Sequence, residues 1–315
     1  MKLKTALLAI AALVSGACTQ EYVTLGGYAQ GGIYSVKYNP AGVKVSRAEA
    51  QQAVDGILEQ IDTTLSGYNR KSLLSRRNAG EKVELNDMFR EIEEISEHYR
   101  ELSGGAFDVA AGPLFDVWGF GFTADSLPSD EAISAAMERC RKREVLNFNA
   151  IAQGFTSDVI ASYLRGLGVR DMLVDIGEIW CCGHNPSGRG WTVGIDAPVD
   201  GNNAPGADLR GIWTSGGDGI GIVTSGNYRK FYVRDGKKYA HTVDPRSGRP
   251  VSHGLLSATV TAPAAAAADA RATACMVLGP EEARRLILSC PEWEACFIMD
   301  TDQIWTSPGF PYSSR

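Results

Sequence analysis

The stretch 229–273 constrains the fold more than any other. Two runs of strand character, 229–234 and 237–243, flank Asp235-Gly236, the dipeptide of a two-residue hairpin turn. A polar turn follows, His241-Thr242-Val243-Asp244-Pro245-Arg246-Ser247-Gly248. Then come a strand over 256–261 and an alanine-rich helix opened by Pro263. Strands that follow one another directly, mixed with long helices, point to an α+β fold of antiparallel sheets packed with helices. They point away from a doubly wound parallel sheet.

The remaining chain agrees. Ser46 and Glu49 form a capping box, and Ala50, Val54, Ile57, Leu58, Ile61 and Leu65 recur behind it at helical spacing. A second amphipathic helix is expected over 86–103, with Met88, Ile92, Ile95, Tyr99 and Leu102 on one face and Gly104-Gly105 as its stop. Further helices are expected over 129–141, up to Leu167 with Gly168 closing it, and over 281–289. Strands are expected at 31–38, 172–176, 191–195 and 219–224, with a short hairpin of 297–299 against 303–306. Residues 65–78 read as a polar turn, 114–122 as an aromatic, glycine-rich stretch and 146–155 as a loop. There is no internal repeat and no linker that divides the chain.

Composition excludes one class of partner. The formal net charge is −6 and no basic block occurs, which argues against nucleic acid. Residues 1–17 read as a leader: Lys2 and Lys4 precede an apolar run at 6–14 that is too short to span a bilayer. Ser15-Gly16-Ala17 before Cys18 resembles a bacterial lipobox, with Ser15 where Leu is usual. It implies export and anchoring to a bacterial membrane, on the periplasmic side, through lipidated Cys18; the alternative is plain secretion with cleavage near Ala17. One domain then fills 18–315. Cys140, Cys181, Cys182, Cys275, Cys290 and Cys296 match no zinc spacing and read as free thiols, most of them buried.

Two constellations carry possible chemistry. Asp269 and Thr273 are four apart on the alanine-rich run, so they share a helix face. A carboxylate and a hydroxyl are hard oxygen donors that suit Mg²⁺, which keeps few protein ligands and completes its shell with phosphate and water. The structural alternative is an acidic residue near the helix N-terminus and a threonine bonded to its own backbone. His241 and Asp244, with Pro245 holding Asp244 extended, are either a turn device or a base and its neighbour. Thr224-Ser225-Gly226-Asn227-Tyr228 is either a phosphate-facing loop or a plain connection. No P-loop, GxGxxG after a strand, GxSxG or HExxH occurs.

Eight stretches then occur in one order: LSGYNRKSLLSRRN, GGAFDVAAGPL, LNFNAIAQGF, VDIGEI, WTVGIDAP, TSGNY, HTVDPRSG and ADARATA. In content and order they resemble the ApbE family of FAD:protein FMN transferases over most of the chain. The resemblance implies a fold related to the T-fold. It implies Mg²⁺-dependent transfer of the FMN moiety of FAD to a Thr or Ser hydroxyl of an acceptor protein, with release of AMP. Metal ligands are implied at Asp269, Thr273 and the carbonyl of Ala150. Contacts to FAD are implied at Gln30, Tyr68, Ala106, Phe107, Asp108, Asn147 and Gln153, and through the backbone of Val243. The chain departs from the family pattern at Asn147, where Asp is usual, and at Gln153, where Lys or Glu is usual. Gln30-Gly31-Gly32 stands for a Met-Gly-Thr element, and VDIGEI is one Gly short.

A general base would assist the transfer, and His241 and Asp244 are the candidates. Two other functions fit the same residues. One is Mg²⁺-dependent hydrolysis of FAD to FMN and AMP; the other is a lipoprotein that binds FAD without turnover.

Overall fold

The computed structural model of the chain describes residues 21–120, 127–200, 202, 204, 206–228, 231–234 and 236–315. The leader with Cys18, the end of the aromatic stretch (Gly121-Phe122), Arg229, Lys230 and the hairpin residue Asp235 lie outside the described residues.

The first element is a strand the sequence patterns do not announce. β1 (Val23–Ala29) pairs antiparallel with β2 (Gly32–Tyr38), and Gln30 and Gly31 form the turn at positive φ. Gly26 and Gly27 weaken the strand signal of β1. Gly27 is nonetheless required, because a Cβ there would come within 2.8 Å of the Tyr34 ring. α1 (Arg47–Leu65) starts from the Ser46–Glu49 capping box as expected. Ser72 then caps a short helix, α2 (Leu73–Asn78), inside the stretch expected to be a turn. α3 (Asp87–Leu102) begins at Asn86 and ends at Gly104-Gly105, both at positive φ. A 3-10 turn (Val109–Ala111) and α4 (Gly112–Val117) follow, then α5 (Asp130–Arg141), capped by Ser129, and α6 (Ala152–Gly166).

The second half supplies most strands: β3 (Met172–Asp175), β4 (Ile179–Cys182), β5 (Thr192–Asp196), β6 (Leu209–Thr214), β7 (Ile220–Gly226), β8 (Phe231–Arg234) and β9 (Lys237–Ala240). The single strand expected over 237–243 breaks at His241-Thr242. β10 (Val243–Asp244) pairs instead with β11 (Arg249–Pro250), so the polar turn closes on itself as a small hairpin. β12 (Leu255–Ala262), α7 (Ala265–Leu278), α8 (Pro280–Leu288), β13 (Glu294–Met299), β14 (Ile304–Thr306) and β15 (Tyr312–Ser314) complete the chain.

The main sheet has the order β1-β2-β3-β4-β7-β12-β13-β14, and a second sheet the order β15-β6-β5; the pairs within both are antiparallel. Helices cover one face of the main sheet. Leu25, Val36, Met172 and Val174 meet Ala50, Val54, Ile160 and Leu164 of α1 and α6. Val223, Ala258 and Phe297 meet Ala268, Ala272 and Ile287 of α7 and α8. The opposite face of the sheet, through Cys181, Ile222, Cys296 and Ile298, packs on Trp191, Ile195 and Trp213 of the smaller one. Each large aliphatic side chain so buried contributes about 1.5–3 kcal/mol. The six cysteines beyond the leader are free, four of them buried. Among the described residues no helix is long and apolar enough to cross a membrane.

The alanine content of α7 has a geometric cause. The helix lies so close to its neighbours that a Cβ on Gly154 of α6 would come within 2.5 Å of the Ala265 carbonyl oxygen. One on Gly221 of β7 would come within 2.4 Å of the Ala265 Cα. Small side chains on one helix facing glycines on the others let three backbones approach, and that approach builds the site.

Candidate active site

The loop 147–151 and the first turn of α6 join nearly every residue singled out in the sequence. Asn147 donates its N–H to the Val109 carbonyl at 2.7 Å, which ties it to the segment 106–109, and its Oδ1 accepts from the Asn149 N–H at 2.9 Å. Asn149 Nδ2 donates to the Tyr68 hydroxyl at 3.4 Å, and the Tyr68 side chain is exposed. Gln153 Nε2 donates to the Ile176 carbonyl at 3.1 Å, so this helix turn also holds the VDIGEI loop. From the other side, Gln30 Nε2 donates to Thr156 Oγ1 at 2.6 Å.

Asp269 meets the same helix turn. Its Oδ2 accepts the Gly154 N–H at 3.2 Å. Gly154 is the third residue of α6, so its N–H has no carbonyl partner within the helix. The Asp269 carboxylate satisfies that donor from another helix. Asp269 is buried and makes no ion pair among the described residues. Burial raises its pKa, the nearby Asp158 carboxylate adds to the rise, and the Gly154 N–H opposes it. A buried carboxylate with one hydrogen bond and no cation is costly unless a cation joins it. Thr273, one turn on, is the one residue between Ala265 and Val277 that is not buried, and its hydroxyl makes no hydrogen bond among the described residues.

Asp269 and Thr273, one turn apart on α7, offer one charged and one neutral hard oxygen, and the expected third donor, the Ala150 carbonyl, lies four residues before Gly154, whose N–H Asp269 accepts. Among the described residues no group of three His, Cys, Asp or Glu side chains is gathered as for a transition metal. The set fits Mg²⁺, which takes its other ligands from phosphate and water. Two further residues hold α7 in place, and no sequence pattern flagged them. Asp158 accepts the Ala265 and Ala266 N–H groups, each at 2.8 Å, and caps the helix from α6. Arg271 lies between Trp293, 3.1 Å from the ring centroid, and Tyr99, at 4.7 Å. Burial lowers the Arg271 pKa to about 10.

The polar hairpin of β10 and β11 packs beside α7. Asp244 does not present a free carboxylate. Arg246 grips it with Nε on Oδ1 at 2.9 Å and Nη2 on Oδ2 at 3.0 Å, and the Arg246 N–H adds a third bond at 2.9 Å. That clasp builds a turn and gives Asp244 a structural partner in Arg246. Thr242 Oγ1 donates to Asn227 Oδ1 at 2.5 Å, which ties TSGNY to the hairpin. That bond gives Asn227, in a segment read as either a phosphate-facing loop or a plain connection, a positioning role. His241 sits at the end of an aromatic stack in which Trp118, Tyr239, Tyr232 and Phe120 follow one another at 5.1–6.0 Å, with His241 6.4 Å from Phe120. Trp118 Nε1 donates to the Gly248 carbonyl at 2.8 Å and pins the stack to the hairpin.

Two expected ligand contacts change character, and a third keeps its backbone reading. Ala106 and Phe107 are buried, and the Phe107 ring packs with Phe89 and Phe148 in the core. Val243 is likewise buried, against Trp118 and Leu114. These three can meet a ligand through their backbone alone. Asp108 caps the 3-10 turn and lies 3.4 Å from Arg143.

The comparisons with known proteins bear on this arrangement. Residues 28–297 match the sequence profile described as "ApbE family". The chain is 31% identical over 294 residues to the FAD:protein FMN transferase of Escherichia coli (strain K12), covering 84% of this chain and 81% of that one. It is 29% identical over 312 residues to the enzyme of the same name from Haemophilus influenzae, covering 90% and 89%. Among solved structures, the Pseudomonas stutzeri flavinyl transferase ApbE superposes with a TM-score of 0.78 at 33% identity, covering 93% of this chain and 94% of that chain. The flavin transferase ApbE from Vibrio cholerae superposes with a TM-score of 0.78 at 29% identity, covering 91% and 97%.

Proposed function

The chain belongs to the ApbE family, and we propose from that premise that it transfers the FMN half of FAD to a Thr or Ser hydroxyl of an acceptor protein, with Mg²⁺ and with release of AMP. Relatives and solved neighbours that share its length and fold carry the name of this activity. Within the molecule one observation carries the reading. A buried carboxylate without an ion pair among the described residues, Asp269, takes a single hydrogen bond, from the Gly154 N–H in the first turn of α6.

In this reading Asp269, Thr273 and the Ala150 carbonyl hold the metal. Bound Mg²⁺ supplies neutralisation of the FAD diphosphate and polarises the phosphorus that is attacked. The segment 106–109, Asn147, Gln153, Tyr68, Gln30 and the Val243 backbone bind the dinucleotide around α6. His241 accepts the proton of the acceptor hydroxyl, since imidazole as a class exchanges protons near neutral pH. The hydroxyl oxygen bonds to the FMN phosphorus in line, the bond to the AMP oxygen breaks, and AMP leaves. Positioning and charge stabilisation supply most of the rate in such a transfer. Asn147 and Gln153 keep hydrogen-bonding capacity but bring no formal charge to the diphosphate.

The test is incubation with FAD, Mg²⁺ and a Thr-bearing acceptor, followed by denaturing gel fluorescence and nucleotide chromatography. Flavin that stays on the acceptor together with one AMP per label supports transfer. FMN released with no labelled acceptor supports hydrolysis instead, and unchanged FAD supports binding alone. Export and anchoring rest on the leader and Cys18, and mass spectrometry of the membrane-extracted N-terminus tests them.

A further inference from the structure

Resting on the metal-dependent transferase reading, we propose that Asp158 is a positioning residue of the reaction. It fixes the start of α7 against α6 and thereby sets the affinity of Asp269 and Thr273 for Mg²⁺. The observation behind this is an exchange of helix caps. Asp158, on α6, accepts the Ala265 and Ala266 N–H groups at the start of α7, each at 2.8 Å. Asp269, on α7, accepts the Gly154 N–H in the first turn of α6 at 3.2 Å. Asp158 stands one turn past Gly154 and Asp269 one turn past Ala265, so each helix closes the start of the other with a carboxylate.

Local sequence supplies neither cap. α1, α2, α3 and α5 start from Ser46, Ser72, Asn86 and Ser129, whose side chains bond their own first turns. Ile151 and Ala264, at the same position before α6 and α7, give no side-chain cap. These two helices satisfy orphan N–H groups by docking on each other, so capping them and assembling the metal face are one event. A carboxylate at each start also meets the positive end of the helix dipole.

Burial turns the cap into a positioning device. Ala265 and Ala266 are 0% and 2% exposed. Water does not reach their N–H groups, and an unpaired buried N–H is costly. Without Asp158 the start of α7 has to shift to satisfy them, and Asp269, one turn further along the same helix, shifts with it. The remaining contact resists little. Gly154 and Gly221 meet Ala265 through bare backbone, and such small residues interlock weakly along the helix axis. A displaced carboxylate loses its place in the coordination shell, because Mg²⁺ demands near-ideal octahedral geometry.

Three variants test this: Asp158→Asn, Asp158→Ala, and Asp158→Ala combined with Ala264→Ser. Ala264 is partly exposed and has the extended backbone of an N-cap, φ −115° and ψ 142°, so serine there gives α7 a cap of its own. Mg²⁺ is titrated calorimetrically into each metal-free, full-length protein with FAD present, and urea midpoints are taken without metal. Asp158→Ala should weaken Mg²⁺ binding by at least about tenfold, and Asp158→Asn, which keeps an acceptor oxygen, by less than about threefold. The double variant should regain the urea midpoint lost in Asp158→Ala and not the Mg²⁺ affinity, since a serine on α7 does not tie it to α6. It also stands in for Asp158→Ala if that variant does not fold. In turnover the loss should fall on the KM for Mg²⁺, with kcat at saturating metal largely kept. Unchanged Mg²⁺ affinity in Asp158→Ala would overturn the proposal. Equal weakening in Asp158→Asn and Asp158→Ala would assign the effect to charge, and full recovery with Ala264→Ser would assign it to a local cap; either result overturns positioning. A parent that takes up no Mg²⁺ would overturn the metal reading and this proposal together. Mg²⁺ binding is read without an acceptor, so a parent that binds metal as expected yet labels no acceptor would count against the transferase reading alone.

Discussion

The N–H of Gly154 and the carboxylate of Asp269 meet at 3.2 Å across the close contact between α6 and α7. The bond joins two residues far apart in sequence and satisfies a helix-start N–H with a buried carboxylate. Four predictions follow from this contact and from the groups around it.

Asp269→Asn should separate stability from activity. Asn keeps an oxygen for the Gly154 N–H and removes a charge that burial disfavours. Without divalent metal, urea unfolding at pH 8 should show the variant more stable by about 1–3 kcal/mol. Added Mg²⁺ should stabilise the parent and not the variant. Transfer to an acceptor should fall by at least about 10²-fold. A variant with parental turnover would refute the metal assignment.

Gly154→Ala should loosen the same contact from the other side. The added methyl meets the Ala265 carbonyl oxygen at 2.5 Å, where only backbone movement relieves it. Overpacking of this kind costs about 1–3 kcal/mol. Denaturant midpoint and Mg²⁺ affinity should fall together, since the displaced helix carries Asp269 and Thr273. An unchanged metal affinity would show that the close approach does not set the site.

His241→Ala and Asp244→Asn should fail in different ways. Loss of a general base lowers turnover by about 10²–10⁴-fold, with FAD binding retained. Asp244 is occupied by Arg246, so its loss should mainly loosen the hairpin, by about 1 kcal/mol after allowance for exposure of the pair. Thermal unfolding and single-turnover transfer, measured on both, distinguish the roles. A larger catalytic loss from Asp244→Asn would reverse them.

Acid should weaken the fold through His253. Its Nδ1 accepts the Leu255 N–H at 3.3 Å and its Nε2 bonds the Met276 carbonyl at 2.9 Å, joining β12 to the end of α7. Protonation would place a hydrogen on the accepting nitrogen. Burial lowers the folded pKa below 6.5. The unfolded chain therefore binds the proton more readily, so stability is full above about pH 6.5 and declines as pH falls toward the folded value. Urea midpoints across pH 8 to 5 should drop faster for the parent than for His253→Gln. Parallel slopes would remove His253 from the account.

Local patterns decided a definite part of this protein. Ser46, Asn86 and Ser129 start helices as their side-chain chemistry predicts, because a cap is settled by residues within one turn. The four-residue spacing of Asp269 and Thr273 set them on one face before any fold was known. The order of motifs along the chain pointed to the family. Tertiary structure decided the rest. β1, with two glycines, becomes a strand only because β2 pairs with it and Tyr34 needs the room. The Phe107 side chain turns into the core, and Asp244 is captured by Arg246, although both stood in motifs that read as ligand-facing. The Ala150 carbonyl carries no side-chain signature at all. The cap that a carboxylate from another helix gives the Gly154 N–H is a long-range packing contact, and such a contact leaves no trace in local sequence.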